Sequence, residues 1–284
     1  FIACMAETKT GPPAQSTKIR SGFRWGRPGG AWYIGRTMAL AMTQRARDLA
    51  MNPSEARFLV EHEIRHQLAP HYAALRALRH RKDLLASPLY PQIEPQLTPL
   101  LSAIEHGVNQ QPLPPRMSQG SLRVVAWNIQ RGRMLPALLS ALRDDPNLAR
   151  ADVLLLSEVD HGMGRSHNRH VAKELAAGLG MHYAFGVSYL VLGDDVMENA
   201  EGAENTQALA GSAVLSRFPI GELCNLDLPE LRDKFSSKSE KRLGKKRALA
   251  AEIRLPSGSL WVATCHLDSN ASPLQRSVQL RALL

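Results

Sequence analysis

The sequence has little of what marks several protein classes. Only three cysteines occur among its 284 residues, aromatic residues make up 5%, and no apolar run reaches the roughly 18 residues of a membrane-spanning helix. Cys4, Cys224 and Cys265 are too few and too widely spaced for a disulfide framework or a cysteine zinc site. They favour a cytoplasmic location, with a targeting signal upstream of Phe1 as the open alternative. We expect no transmembrane segment.

The composition is that of a folded protein with an uneven charge. Hydrophobic residues make up 44% and charged residues 21%, which excludes a highly charged disordered chain. The formal net charge is +9, but residues 1–118 hold 15 Lys and Arg against 8 Asp and Glu, whereas residues 119–284 hold 20 against 18. Eight of those 20 lie in residues 232–247, a run typical of a solvated loop or of a contact with phosphate or lipid headgroups. The net charge therefore does not select nucleic acid as the partner.

The first 119 residues contain many helix breakers. Residues 1–52 are basic and rich in Gly and Pro, and we predict that they are irregular. Residues 53–110 have a helical pattern that begins after Asn52 and is interrupted at Pro70, so we predict a helical extension there. Residues 111–119 are rich in proline and are typical of a linker.

From residue 120 onward, short apolar runs alternate with amphipathic segments. This alternation predicts an α/β or α+β domain over residues 120–284. Residues 256–258 form a Pro-Ser-Gly turn signal, which predicts a hairpin between the last two strands. Gly180 is predicted to end the second helix. The predicted strands are 122–127, 153–156, 213–215, 248–255 and 260–265, and the predicted helices are 135–143 and 170–179.

Three polar residues come directly after predicted apolar strands. Asn128, Glu158 and His266 each stand where such a strand ends. Ligands of open α/β sheets bind at the ends of strands, so this placement indicates a site. A carboxylate there suits Mg²⁺, which prefers oxygen ligands and keeps waters for substrate phosphates. An imidazole can bond a phosphate oxygen, and an amide can orient a ligand.

The residues around these positions resemble four motifs of the endonuclease/exonuclease/phosphatase superfamily. That superfamily includes DNase I-like nucleases, sphingomyelinases and inositol polyphosphate 5-phosphatases. The resemblance implies a DNase I-like sandwich of two mixed β-sheets flanked by helices, incomplete at its C-terminus and preceded by the helical and irregular extension. The matching segments, in the family's order, are 124–130 (VVAWNIQ), 152–160 (DVLLLSEVD), 210–220 (AGSAVLSRFPI), and 247–249 (RAL) with 261–268 (WVATCHLD).

The resemblance also implies a reaction. The expected function is Mg²⁺-dependent (or Mn²⁺-dependent) hydrolysis of a phosphoester or phosphodiester, with Glu158 as metal ligand. Asn128 would lie beside the metal and the scissile phosphate, and His266 would contact the phosphate. The partner would be a phosphate-containing substrate, namely nucleic acid, a phospholipid headgroup or a small phosphate ester, and no protein partner is expected. Further candidates for support or substrate binding are Glu204, Arg247, Asp160 and Asp268.

The sequence departs from the resembled pattern in three places. Ser157 stands where many relatives have Gln, and Ser212 stands where many have Asn. The family's later Asp-x-Asn pair and terminal Asp-His pair are absent, since no Asp follows Asp268. Those motifs supply the group that positions the nucleophile and the general base. We therefore expect these 284 residues to be inactive by themselves.

Two other functions stay open at this point. One is a non-catalytic anion-binding or scaffold protein that uses the same fold. The other is a zinc metalloprotease, because His62, Glu63 and His66 match H-E-x-x-H. Arg65 within that motif and Pro70 just after it oppose zinc binding on a continuous helix, so a surface helix rich in His and Arg is the competing interpretation.

Overall fold

The computed structural model describes residues 2–9, 32–33, 60–61, 63–109, 112–115, 121–193, 204–236 and 240–283. In these residues two β-sheets pack face to face, and helices cover the outer face of the larger sheet. The predicted two-sheet sandwich flanked by helices is confirmed. One detail differs, because the smaller sheet is antiparallel throughout its described strands and only the larger sheet is mixed.

The smaller sheet has four described strands in the order β1-β12-β11-β9. They are β1 (Ile2–Lys9), β9 (Ile220–Asp227), β11 (Arg247–Leu255) and β12 (Gly258–His266). β11 and β12 form the predicted hairpin, with Leu255 paired to Gly258 across the turn. Pro at the first turn position fixes its φ, and Gly258 takes a positive φ of 132° that other residues rarely adopt.

The larger sheet has the order β2-β5-β6-β8-β7-β4-β3, and β10 also pairs with β7. β5 and β6 are parallel neighbours, so their carboxyl ends lie at the same edge. The strands are β2 (Trp32–Tyr33), β3 (Val60–Glu61), β4 (Ile104–Gly107), β5 (Val124–Arg131), β6 (Val153–His161), β7 (His182–Val191), β8 (Leu209–Ser216) and β10 (Arg242–Gly244).

Six α-helices lie in the described residues. α4 and α5 cover the larger sheet, and α5 ends at Gly180, whose left-handed φ of 62° confirms the predicted C-cap. α6 begins with a capping box between Ser272 and Gln275. The helices are α1 (Tyr72–Ala77), α2 (Arg81–Leu85), α3 (Tyr90–Leu100), α4 (Leu135–Asp144), α5 (Val171–Leu179) and α6 (Pro273–Arg281).

The side chains of β6 alternate between two cores. Leu154 and Leu156 face the helices, whereas Val153 and Leu155 face the smaller sheet, and all four are fully or almost fully buried. Both faces of β6 are therefore dry, which explains its continuous apolar run in sequence. The chain leaves this apolar environment only at the end of the strand, where its polar residues lie.

Several predictions for the first 119 residues need correction. Residues 2–9 form a strand of the smaller sheet rather than an irregular segment, while most of residues 10–59 lie outside the described residues. The helix predicted from residue 53 is absent from residues 63–68, and within the predicted helical extension α3 ends at Leu100 and is followed by the strand β4. Because β4 pairs with β7 and α1 to α3 share the core of the larger sheet, residues 63–107 are part of the sandwich rather than a separate extension.

Candidate phosphate and metal site

The three strand-end residues meet in the structure. Asn128 Nδ2 donates to Glu158 Oε1 at 2.9 Å and lies 3.4 Å from His266 Nδ1. His266 Nδ1 is also 3.4 Å from Glu158 Oε1. Asn128 and Glu158 come from the parallel strands β5 and β6, and His266 ends β12 of the other sheet. We call Asn128, Glu158 and His266 the edge cluster, since they lie where the two sheets meet at one edge.

Two β-bulges, side by side, orient the edge cluster. The pairing of β5 with β6 shifts register between Asn128 and Arg131, and the pairing of β6 with β8 shifts between Ser157 and Val159. Glu158 has a φ of 53° and Arg131 a φ of 68°, a left-handed conformation that costs non-glycine residues free energy. Bulges of this kind turn a side chain out of the regular alternation and occur often beside active sites. They let Glu158 leave the buried face that strict alternation would give it.

Asn128 is held by its own backbone neighbourhood. Its Oδ1 accepts a hydrogen bond from the Gln130 N–H at 3.0 Å, which fixes which end of the amide faces Glu158. The amide nitrogen therefore points at the carboxylate and the imidazole together. The sequence predicted this meeting of side chains, but not the bulges that produce it.

His266 is neutral near pH 7. Burial lowers the pKa of His266 to about 3, and the positive charge of Lys246 adds to that shift. Its Nδ1 lies 3.4 Å from both Asn128 Nδ2 and Glu158 Oε1, and the neutral ring carries one N–H. An imidazole in this state is a hydrogen-bond donor for an anionic oxygen.

Cations surround the edge cluster. Burial, with the charge of Arg242 second, lowers the pKa of Lys246 to about 8, and the charge of Glu158 opposes the shift. Arg131 feels the charges of Glu158 and Asp160, and Arg242 lies over the Tyr189 ring at 4.7 Å. Lys234 forms an ion pair with Asp268 at 3.4 Å. The basic run of residues 232–247 thus contributes Lys234, Arg242 and Lys246 to this edge rather than forming only a solvated loop, and Lys246 was not among the residues predicted from sequence.

Two of the supporting candidates are buried near the edge cluster. Asp160 is fully buried and is bonded by the Arg165 guanidinium through Nε at 2.8 Å and Nη2 at 3.0 Å. Arg165 also donates to Glu240 at 2.5 Å. Asp268 is buried and accepts from the Asn270 N–H. Asp160 is therefore committed to a buried ion-pair network, and Asp268 to Lys234 and the turn that follows it.

The other two supporting candidates lie elsewhere. Arg247 forms an ion pair with Asp227 at 2.6 Å and donates to the Asn225 carbonyl. Glu204 is exposed, and its backbone oxygen accepts from Asn168. No contact joins the Arg247 guanidinium or the Glu204 carboxylate to the edge cluster within the described ranges.

The two serines that depart from the resembled motifs are direct neighbours. Ser157 and Ser212 are paired across β6 and β8 immediately before the bulge at Glu158, and both are buried. The chain thus has two short hydroxyl side chains on the paired strands directly before Glu158.

The residues present fit a hard divalent cation. Glu158 Oε1 is bonded by Asn128, and its side chain is 31% exposed, so the carboxylate faces solvent at the edge. Mg²⁺ binds through one or two carboxylates and completes its shell with water and phosphate oxygens, which matches a single accessible carboxylate beside neutral donors. Glu158 is the residue that would hold the ion.

A second acid–histidine group lies on the helix-covered face of the larger sheet. Glu105, His161 and His170 offer ligand atoms that all lie within 4.8 Å of one another. We call these three residues the covered cluster. Sequence reasoning missed them because they come from β4, the end of β6 and the residue before α5, and no local motif links these elements.

The H-E-x-x-H interpretation is wrong for the described part of the motif. His62 lies outside the described residues, and residues 63–68 are not helical. His66 Nε2 lies 2.7 Å from the Gln207 carbonyl, and its Nδ1 accepts from the Leu68 N–H. Both nitrogens of His66 are therefore engaged, and no helix brings a second imidazole to the same face.

No described helix combines the length and the apolar character that crossing a membrane requires.

Comparisons with known proteins give one structural likeness. The chain is similar to the crystal structure of an endonuclease/exonuclease/phosphatase from Beutenbergia cavernae DSM 12333, with 24% sequence identity and a TM-score of 0.41. The match covers 57% of this chain and 43% of that one, so the chain spans less than half the length of that protein. No protein-family model matches the sequence, and no curated protein matches it. The fold assignment accordingly rests on this chain's own two packed sheets.

Proposed function

We propose that this chain carries the metal-binding and phosphate-binding part of a phosphoester-hydrolysing site. One observation supports this most strongly: Asn128, Glu158 and His266, which stand in three separate motifs spread over about half of the chain, meet within 3.4 Å at two adjacent bulges. Residues that only ended strands would have no reason to converge from two different sheets.

Each member of the edge cluster has a separate task in this proposal. Glu158 binds Mg²⁺ or Mn²⁺, and when bound the ion neutralises phosphate oxygens and polarises phosphorus. Asn128 orients the Glu158 carboxylate through its 2.9 Å bond. His266 donates a hydrogen bond from its ring N–H to a phosphate oxygen on which negative charge develops. These roles are preorganised, because all three side chains are held before any substrate arrives.

The cations at the edge favour a substrate with a charged phosphate. Lys246, Arg131 and Arg242 place positive charge around the edge cluster. They supply attraction for the anion but do not distinguish a nucleic acid from a phospholipid headgroup or a small phosphate ester. The substrate class therefore stays at phosphoesters and phosphodiesters.

The same cations favour a second candidate function, which is anion binding without catalysis. The two functions differ in their need for metal. A hydrolytic site requires a divalent ion at Glu158 for productive phosphate binding, whereas a simple anion site binds phosphate through Lys246 and its neighbours without one.

Metal binding by the 284-residue chain tests the proposal directly. Binding is measured rather than turnover because no Asp follows Asp268, so these residues lack the Asp residues of the resembled family's later pairs beyond the His266 motif. We expect the Mn²⁺ electron paramagnetic resonance signal of the free ion to fall on titration with the chain, and Mg²⁺ to restore it by competition. The variant Glu158→Gln should lose this binding by at least tenfold.

The matched control is Glu222→Gln, which removes an exposed carboxylate on β9. It should bind Mn²⁺ like the unchanged chain. Equal Mn²⁺ affinity in the Glu158→Gln and Glu222→Gln variants would refute the proposed metal site and favour metal-free anion binding.

A further inference from the structure

The covered cluster joins three elements that lie far apart in the sequence. Glu105 is on β4, His161 is the last residue of β6, and His170 directly precedes α5. Glu105 is completely buried, and His161 is 8% exposed. The two imidazole rings stack with centroids 4.0 Å apart, and His170 Nε2 lies 2.8 Å from Glu105 Oε1. A carboxylate and two imidazoles therefore face one another beneath the helices.

The covered cluster is separate from the edge cluster even though both use the end of β6. His161 contacts the edge of the Phe185 ring, which belongs to the core between the larger sheet and the helices. Glu158 instead contacts Asn128 and His266, the latter on the smaller sheet. The two sites thus lie on different sides of the same strand end.

One polar atom in the covered cluster has no protein partner. His161 Nδ1 is buried and forms no hydrogen bond with any residue that the structure describes. A buried nitrogen without a hydrogen-bond partner destabilises the folded protein, so native proteins rarely keep one without a use. The 2.8 Å contact of His170 Nε2 with Glu105 accounts for two members of the cluster, but it gives His161 Nδ1 no partner.

We propose that Glu105, His161 and His170 form a binding site for a transition-metal ion of the Zn²⁺ type, in addition to the Mg²⁺ or Mn²⁺ site at Glu158. Two imidazoles with one carboxylate are a ligand set that Zn²⁺ accepts, whereas Mg²⁺ prefers oxygen ligands alone. Ligands of one zinc ion, held at about 2.0–2.2 Å, lie no more than about 4.4 Å apart. Small rotations of side chains already within 4.8 Å of one another bring them into range.

Hydrogen bonds from neighbouring residues fix the orientation of Glu105. Metal-ligating carboxylates are commonly held in this way by residues that do not themselves bind the metal. The Tyr183 hydroxyl donates to Glu105 Oε1 at 2.6 Å, and the Ile64 N–H donates to Oε2 at 2.6 Å. These bonds leave the carboxylate fixed in orientation and facing the two imidazoles. The ion would tie β4 and the segment around Ile64 to the end of β6 and the start of α5.

Metal binding requires one proton to move within His170. Its Nδ1 accepts from the Lys173 N–H at 3.3 Å, so the neutral ring carries its proton on Nε2, beside Glu105. When Nε2 bonds the metal, that proton passes through solvent to Nδ1, and the long Lys173 bond is given up. No net proton is released by His170, and Glu105 exchanges a hydrogen bond for a metal bond.

Zinc titration of the chelator-treated chain, in competition with a chromophoric chelator, tests this site. We expect one tightly bound Zn²⁺ per chain and a higher melting temperature with zinc than without it. His161→Phe should weaken zinc binding at least 100-fold and abolish the thermal shift. The metal-free His161→Phe variant should melt no lower than the unchanged chain, because the new ring can still stack on His170 and the unbonded nitrogen is gone.

Two further variants keep the test decisive. His170→Asn removes the second imidazole but retains a side chain that can cap α5, so it should fold and lose zinc. This variant tests the site independently, even where His161→Phe does not fold. His167→Asn changes an exposed histidine of left-handed φ that Asn tolerates, and it should bind zinc normally. Absence of bound zinc, unchanged zinc affinity in both cluster variants, or loss of zinc in Glu158→Gln would overturn the proposal.

Discussion

The edge cluster and the covered cluster each bring an acid and histidine together, yet their surroundings are opposite. In the edge cluster the carboxylate of Glu158 is part-exposed, its backbone is left-handed, and a single side chain bonds it. In the covered cluster the carboxylate of Glu105 has no exposed surface and receives bonds from Tyr183, Ile64 and His170. The Glu158 carboxylate thus has oxygen lone pairs that face solvent, whereas those of Glu105 accept hydrogen bonds from other residues of the protein.

The two carboxylates also differ in how much they contribute to the stability of the fold. Burial alone would raise the pKa of Glu105, but the hydrogen bonds from His170, Tyr183 and Ile64 lower it to about 2. Folding therefore depends on the charged form of Glu105. Glu158 has one side-chain hydrogen bond and a strained backbone, so its carboxylate contributes little to the stability of the fold.

The largest expected effect comes from the ion-pair network beneath both clusters. Arg165 holds Asp160, which lies between Glu158 and His161 on β6, and also holds Glu240. Arg165→Met would remove the guanidinium that bonds buried Asp160, and Glu240 would keep only Arg242 and Arg131 near it, so the free energy of unfolding should fall by about 3–5 kcal/mol. Urea denaturation measures this loss, and Arg169→Met, at a more exposed ion pair, should cost less than about 1 kcal/mol. Equal losses in the two variants would contradict the role given to Arg165.

An intermediate effect separates the two carboxylates. In chelator-treated protein, Glu105→Gln should lower the free energy of unfolding by about 2 kcal/mol, because a buried charge-assisted set of bonds is weakened. Glu158→Gln should change it by less than about 0.5 kcal/mol, since that side chain is part-exposed and singly bonded. Thermal and urea unfolding of both variants provide the comparison. A Glu158→Gln variant as unstable as Glu105→Gln would make the edge cluster a structural feature.

The smallest effect concerns the charge of Lys246. Because folding lowers the pKa of Lys246 to about 8, the folded chain loses this positive charge as the pH rises through 8 rather than near 10.5. Affinity for a phosphodiester such as dimethyl phosphate should therefore fall by up to about tenfold per pH unit above 8. In Lys246→Arg, whose guanidinium stays charged, the affinity should be nearly constant over the same range. An identical pH profile in both proteins would remove Lys246 from the phosphate site.

The sequence predicted those elements whose patterns are local. The strand of Leu154 and Leu156, the helix ending at Gly180 and the hairpin at residues 256–258 each have their own signal and are confirmed. β7 was missed because all ten of its residues are buried, so it shows no alternation, and its identity as a strand depends on pairing with β4 and β8. β4 was missed because it has only four residues and follows a proline-rich segment, so its identity as a strand also depends on its pairing with β7.

The site was predicted only as far as sequence motifs extend. Asn128, Glu158 and His266 stand in motifs, so their meeting could be expected from order and residue type. The left-handed backbone at the bulges of Glu158 and Arg131 could not be predicted from residue type, because neither residue is Gly or Asn. Lys246 and the covered cluster depend on strand pairing between distant segments, which a single sequence does not reveal.

The most direct test of the central claim is nuclear magnetic resonance of the chain with labelled histidine side chains during addition of Mn²⁺ at low stoichiometry. The account predicts that the imidazole signals of His266 broaden first, together with the phosphorus signal of an added phosphodiester. It also predicts that both effects disappear in Glu158→Gln. If the His266 signals stay sharp while Mn²⁺ binds, or broaden equally in Glu158→Gln, the edge cluster is not a metal and phosphate site.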